Sequence, residues 1–213
     1  MTDGLLVTLA EKAAPARAAL LVIDVQNDFL ADGGFFHRAG YDVSTARAAV
    51  PPLQRLVGAA RHAGVAVVFV QAIYDDEHCS PVMRERNQRR GLVAPRCLSG
   101  SWGADFYQLQ PAPGDAVVVK HRYSAMLGSG LPALLRARGI ESLLLAGVAT
   151  DTCVESTGRD AYFMDWYVTL VADCCGAASA ADHAGALARF DRDYGTVCSS
   201  AELMAAWGQP AHG

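Results

Sequence analysis

GIESLLLAGVATDTCVESTGRDAYFMDW, from Gly139 to Trp166, decides the fold. Ser142 to Ala146 is a short apolar run bounded by Glu141 and Gly147 and reads as a strand. It does not alternate apolar with polar, so both of its faces are covered, the pattern of a strand inside a parallel sheet. A loop from Gly147 to Thr152 follows, and Cys153 to Met164 then has helical character. Strand, loop and helix in that order form the repeating unit of an α/β fold.

The same unit recurs on both sides. Further strands are expected at Ala19 to Ile23, Val65 to Gln71, Ala116 to Val119, Tyr167 to Val171 and Thr196 to Cys198. Helices are expected from Ser44 to His62, closed by Gly64, from Leu131 to Arg138, closed by Gly139, and from Ser179 to Phe190. The expected fold is α/β, a single-domain three-layer sandwich with a mainly parallel sheet flanked by helices. Residues 1–17 are set apart as an N-terminal extension and 18–213 form the domain. Between Tyr74 and Gln110 the chain is Arg-rich, with Pro81, Gly91, Pro95, Gly100 and Gly103, and reads as a long irregular loop covering a site.

Composition narrows the function classes. The 213 residues are 52% hydrophobic, enough for one substantial core, and the net charge is −4. A weakly acidic chain without a block of like charge offers no footprint for nucleic acid. No apolar run approaches the roughly 20 residues of a membrane helix, and Met1 to Arg17 lacks the features of a signal peptide. A cytoplasmic protein with a small-molecule partner, no nucleic acid, no membrane and no cofactor is expected, and a homo-oligomer is the expected assembly. The six cysteines include no CxxC spacing and read as free thiols.

In an open parallel sheet, ligands bind beyond the carboxyl ends of the strands, where strand order reverses. Three reactive groups emerge there: Asp24 after ALLVI, Lys120 after AVVV, and Cys153 after SLLLA and its loop. Taken singly, each has an ordinary explanation: a turn-forming Asp, a snorkelling Lys, a buried thiol. Together they suggest a nucleophile. A thiol at a helix start beside an ammonium is expected to have a pKa below about 8.5, and a nearby carboxylate can shuttle its proton. Only Lys12 and Lys120 among the 18 basic residues are lysines, which draws further attention to Lys120.

Other candidates are weaker. Asp75-Asp76-Glu77-His78-Cys79 lacks the spacing of a metal site and reads as a solvated turn, so no metal is expected. Gly128-Ser129-Gly130 lacks a phosphate-loop lysine and reads as a helix-start turn. His37 and His121 fall near the site edge, and Arg38 and Arg122 are candidate partners for a substrate carboxylate. Phe29, Phe35, Trp102, Phe106 and Tyr123 are candidate pocket walls, each equally explained by core packing. Arg159 is expected to brace the helix that starts at Cys153, and Cys174-Cys175 is the one pair that a redox function could use.

Three ordered segments carry a family resemblance: LLVIDVQNDFL (Leu20 to Leu30), PGDAVVVKHRYSAM (Pro113 to Met126) and the Gly139 to Trp166 stretch. Spanning roughly Ala18 to Glu202, they resemble the isochorismatase-like cysteine hydrolases, a family that includes nicotinamidases and several amidohydrolases. The resemblance implies a catalytic triad of Asp24, Lys120 and Cys153. It also implies a cis peptide between Val148 and Ala149, with the Ala149 and Cys153 N–H groups as oxyanion hole. The Asp-x-His metal motif of nicotinamidases is missing from QAIYDDEHCS (Gln71 to Ser80). Vinyl-ether hydrolases of this fold lack the nucleophilic cysteine that is present here. ADGGFFHRAGYDVS (Ala31 to Ser44), GSWGADFYQL (Gly100 to Leu109) and KHRYSAM look most similar to ureidoacrylate and biuret-type amidohydrolases. The expected reaction is cleavage of a C–N bond in a small ureido, N-carbamoyl or amide substrate through a covalent thioester or thiocarbamate. A non-catalytic binding protein of the same fold, an isochorismatase or nicotinamidase, and a thiol redox protein are the alternatives.

Overall fold

A computed structural model of the chain describes residues 4–208. Six strands form one sheet: β1 Ala18–Ile23, β2 Ala66–Ala72, β3 Ala116–Lys120, β4 Ser142–Val148, β5 Tyr167–Gly176 and β6 Thr196–Cys198. Every pairing is parallel, in the order β3-β2-β1-β4-β5-β6. The chain builds outward from β1 to β3, then returns to lay β4 against the other side of β1. The reversal of strand order therefore falls between β1 and β4, where their carboxyl ends diverge and leave a crevice.

The uninterrupted apolar reading of β1 has a simple cause. All six of its residues are buried, and successive side chains enter opposite cores. Leu20 and Val22 pack with Leu53, Leu56 and Leu203 on one face, while Leu21 and Ile23 pack with Leu131, Leu135 and Phe190 on the other. The result is a sandwich of helices, sheet and helices. No helix among the described residues is long and apolar enough to cross a membrane.

Two expectations about helices need correction. The helix expected from Ser44 to His62 is broken: a single turn at Ser44–Arg47 ends, and a new helix starts at Val50–Ala63. Pro51 and Pro52 explain the break, because neither can donate a backbone hydrogen bond and each ring clashes with the carbonyl four residues back. Prolines are tolerated only in a first turn, so the helix restarts around them. The covering segment from Tyr74 to Gln110 is less irregular than expected. It contains a helix, Pro81–Arg89, opened by Ser80, whose hydroxyl accepts the Met83 N–H. Ser-Pro at a helix start is a recognisable signal that the surrounding Arg and Gly content obscured. The chain before β1 is also tied down: a capping box of Thr8 and Glu11 closes the turn Leu9–Lys12, and the Trp207 indole N–H donates to the Ala13 carbonyl at 2.8 Å.

β4 carries an irregularity between Leu145 and Gly147 where it pairs with β5. Gly147 has φ 120°, and a Cβ placed there would lie 2.0 Å from the Ile23 carbonyl oxygen. That close approach lets the end of β4 run tight against β1, next to Asp24. Gly147→Ala is expected to cost about 2 kcal/mol or more of stability, since both the φ and the backbone contact oppose a side chain. A lower urea midpoint would show it, and an unchanged midpoint would mean that the two strands separate freely there.

Candidate active site

Three elements deliver Asp24, Lys120 and Cys153 to one point. Asp24 is the first residue beyond β1, in the left-handed region at φ 54°, and its N–H is held by the Val70 carbonyl at 3.0 Å. Short polar side chains tolerate that conformation better than most. Lys120 ends β3, two strands away, and its side chain has no solvent exposure. Cys153 lies in a π-helical turn, Thr150–Val154, that leads into the helix Glu155–Phe163. The peptide between Val148 and Ala149 is cis, and the Ala149 carbonyl accepts the Thr152 and Val154 N–H groups at 3.1 Å each.

The Lys120 ammonium is 2.8 Å from Asp24 Oδ2 and 3.4 Å from Cys153 Sγ, and it donates to the Arg122 carbonyl at 2.9 Å. The Asp24 contact is short but poorly aligned, and neither carboxylate oxygen has a well-directed donor among the described residues. It is an ion pair more than a hydrogen bond. Burial pushes the Asp24 carboxyl above the usual carboxylate value, against the pull of Lys120. Burial also works against the Lys120 charge, but the adjacent Asp24 and Cys153 outweigh it and hold the ammonium protonated well above its ordinary value.

The thiol departs from expectation. Burial raises Cys153 to about 12, and the Asp24 charge adds to the rise, while Lys120 opposes it without prevailing. An ammonium lowers a thiol pKa when it is unpaired; this one already faces a carboxylate. Burial thus opposes the charged form of both the carboxyl and the thiol, while the Lys120 ammonium favours it at each.

Thr157 braces Cys153. Its hydroxyl donates to the Cys153 carbonyl at 2.7 Å and accepts the Ala125 N–H at 3.0 Å, joining the cysteine's turn to the loop after β3. Arg159 does hold this helix, as expected from its position: with Arg189 it brackets the buried Glu155, at 2.5 and 3.0 Å.

A cavity of about 270 Å³ opens above Cys153 and Asp24, lined also by Val148 and Ala149. Among the expected walls, Phe29, Phe35 and Tyr123 line it. Trp102 does not: its side chain is about half exposed, and its carbonyl instead accepts the Asn27 amide at 2.8 Å. Phe106 packs edge-on against Phe69 at 5.2 Å. Arg38 reaches the Gly33 carbonyl, and Arg122 donates to the His78 and His121 carbonyls at 2.9 and 2.7 Å, so neither arginine faces the cavity. His121 stacks on His78 at 3.6 Å, and His37 accepts the Gly33 N–H at 3.2 Å.

Sequence reading missed Phe36, Tyr41, Tyr74, Arg86, Arg90 and Arg96, which line the same cavity. It also missed two buried clamps inside the quoted LLVIDVQNDFL motif. Gln26 donates to the Ala72 and Ala104 carbonyls at 3.0 and 2.9 Å and accepts the Ala72 N–H at 2.8 Å. Asp28 accepts the Phe35 and Cys97 N–H groups at 2.9 and 2.6 Å. Polar residues this close to a strand end signal such clamps, because buried side-chain amides and carboxylates must find backbone partners.

Away from the cavity, ligand atoms of Asp75, Glu77 and His78 lie within 4.8 Å of one another. Asp75 is already engaged by the Ser99 N–H at 2.9 Å, and Glu77 is exposed, as in a solvated turn. Ser129 takes part in a helix-start turn, accepting the Leu131 N–H at 3.1 Å. Cys174 and Cys175 face opposite cores of the sheet, which removes the geometry a vicinal redox pair needs.

The family description "Isochorismatase domain" matches residues 18–202. A ureidoacrylate amidohydrolase RutB of Serratia proteamaculans (strain 568) is 35% identical over 173 residues, covering 75% of this chain and 70% of that protein. A solved cysteine hydrolase from Pseudomonas syringae pv. phaseolicola 1448A superposes with a TM-score of 0.83 at 25% identity, over 98% of this chain and 99% of that one. The N-carbamoylsarcosine amidase of Thermoplasma acidophilum gives 0.71 at 28% identity, over 86% and 96%. With the domain match extending from β1 to the helix Ser200–Ala206, this chain belongs to the isochorismatase family.

Proposed function

We propose that the protein is a cysteine-dependent amidohydrolase that cleaves a C–N bond in a small ureido or N-carbamoyl compound. The observation that carries this reading is the convergence of Asp24, Cys153 and Lys120, with Nζ at 2.8 and 3.4 Å from the other two, at the floor of a cavity of small-molecule size. The likeness to a ureidoacrylate amidohydrolase and an N-carbamoylsarcosine amidase supports the substrate class.

Each residue has one task. Asp24 accepts the Cys153 proton as the sulfur attacks the substrate carbonyl, and Lys120 stays charged beside both anions. The carbonyl oxygen, now negative, is received by the Ala149 and Cys153 N–H groups. Asp24 returns the proton to the departing nitrogen, which leaves as ammonia or amine, and the acyl or carbamoyl group remains on sulfur. Water, deprotonated by the same carboxylate, releases it and restores the thiol. A donor in such an oxyanion hole is typically worth about 3–4 kcal/mol of barrier.

The test is ammonia release from ureidoacrylate, short N-carbamoyl amino acids and simple amides. Cys153→Ala, Asp24→Asn and Lys120→Ala are each expected to lose about 10⁴-fold or more in turnover. A Cys153→Ala enzyme that still works near the wild-type rate would discard the reading.

The pH profile has a definite sign. Asp24 must be ionised to take the thiol proton and its pKa is raised above 3.8, so kcat/KM is expected to fall as pH drops through that raised value. Lys120 stays protonated beyond neutral pH and contributes no alkaline limb there. The thiolate absorbance of wild type, less that of Cys153→Ser, is expected to be absent at neutral pH, since Cys153 is raised to about 12. A clear neutral-pH thiolate band would show that the pair is resting in the other proton arrangement.

A further inference from the structure

The cavity holds charges that the proposed chemistry does not use. Arg86 and Arg90, at the end of the helix Pro81–Arg89, and Arg96, in the loop beyond it, line the same cavity as Asp24 and Cys153. Among the described residues none of the three forms an ion pair. Their partners are neutral and distant: Arg96 donates to the Leu92 carbonyl at 3.3 Å and to Asn87 Oδ1 at 3.2 Å, and Arg86 to the same Asn87 oxygen at 3.4 Å. Arg90 has no side-chain partner among the described residues.

Aromatic faces orient two of these cations. The Arg96 guanidinium lies 5.2 Å from both the Phe35 and Tyr74 rings, and Arg86 lies 5.5 Å from Tyr123. Stacking fixes the plane of a guanidinium while leaving its edge donors available. Those rings are themselves cavity walls, so the donors are held at its border.

Aspartates also line the cavity, but each has an answer nearby. Asp42 accepts the Ser44 N–H at 2.8 Å and lies near Arg47. Asp182 accepts the Ser179 hydroxyl at 2.6 Å, and Asp151 lies within electrostatic range of Arg189. The arginines are the unanswered charges. The Lys120 ammonium on the floor is already taken by Asp24, so an anionic group on a substrate gains nothing there and gains most at the arginine border.

We propose that Arg86, Arg90 and Arg96 form an anchoring site for a carboxylate carried by the substrate, so that the enzyme takes short ureido or N-carbamoyl acids in preference to neutral ureas and amides. This rests on the amidohydrolase reading and adds the charge of the substrate to it. A planar guanidinium grips a carboxylate through paired hydrogen bonds. With the acid held at the border, the carbamoyl carbonyl is directed to the sulfur at the floor, and positioning of that kind accelerates attack without further chemistry.

Binding to the Cys153→Ala protein separates this proposal from the catalytic one. Its affinities for ureidoacrylate and for the methyl ester of that acid are measured by calorimetry at low salt. The acid is expected to bind at least tenfold tighter, roughly the contribution of one charge-assisted pair. In the same background Arg86→Gln, Arg90→Gln and Arg96→Gln are each expected to reduce that preference, and the triple variant to bring it close to unity. Arg96→Lys, which keeps the charge but not the plane, is expected to fall between. Equal affinity for acid and ester, or no measurable binding of the acid, overturns the proposal, as does a preference that survives in the triple variant. Ammonia release by the wild-type enzyme is recorded separately, so a failure of the chemistry and a failure of the anchoring site give different results.

Discussion

A lysine side chain with no exposure to solvent is sustained in this protein by one carboxylate 2.8 Å away. Each of those charges alone would cost several kcal/mol to bury, and removing either strands the other. The pair therefore dictates much of what surrounds it. Lys120 must end β3 and Asp24 must follow β1, with β2 between them, so the ammonium crosses a strand to reach its partner. Cys153 arrives from β4 on the far side of β1. Only the strand order seen here, with its reversal beside β1, lets three segments so distant in sequence meet at one sheet edge.

The cover depends on the same edge. Gln26 and Asp28, two and four residues past Asp24, hold the ends of β2 and the loops carrying Phe35 and Cys97. Packing is tight enough there that a Cβ on Gly103 would fall 2.2 Å from an Asp28 carboxylate oxygen. One run of chain thus supplies the proposed proton acceptor, the support for the cavity wall and, through Cys97, the attachment of the segment that bears Arg96. A loosened clamp would be felt first in where the arginines point.

How much of this was legible in the sequence follows from how locally each feature is encoded. The strands were, because both faces of the sheet are covered and the apolar runs are unbroken. So were the three converging residues, since each lies at or just beyond the carboxyl end of a strand and the fold class says which edge matters. The helix break at Pro51-Pro52 is local too, yet the apolar periodicity on either side masked it. The arginines were not legible. Arg86 and Arg96 stand among many arginines, and only the tertiary placement of Phe35, Tyr74 and Tyr123 distinguishes them from solvated neighbours. Trp102 erred the other way: a large aromatic in a covering segment suggests a wall, but its backbone carbonyl is what the site uses.

The thiol is the instructive departure. Reasoning from a nearby ammonium predicts a lowered pKa, whereas burial and the neighbouring carboxylate push Cys153 up to about 12. A high value looks unfavourable for a nucleophile, but the relevant comparison is with Asp24, whose pKa burial also raises. Passing the thiol proton to that carboxylate moves one negative charge from oxygen to sulfur within the same dry site. Net charge is unchanged, and Lys120 faces the anion before and after, so much of the desolvation cost cancels between the two states. What decides reactivity is the difference between two raised values, a property of the coupled pair and not of the cysteine alone. In the proposed mechanism the proton therefore needs to pass only between two neighbours whose ionisation burial opposes alike, with Lys120 beside both.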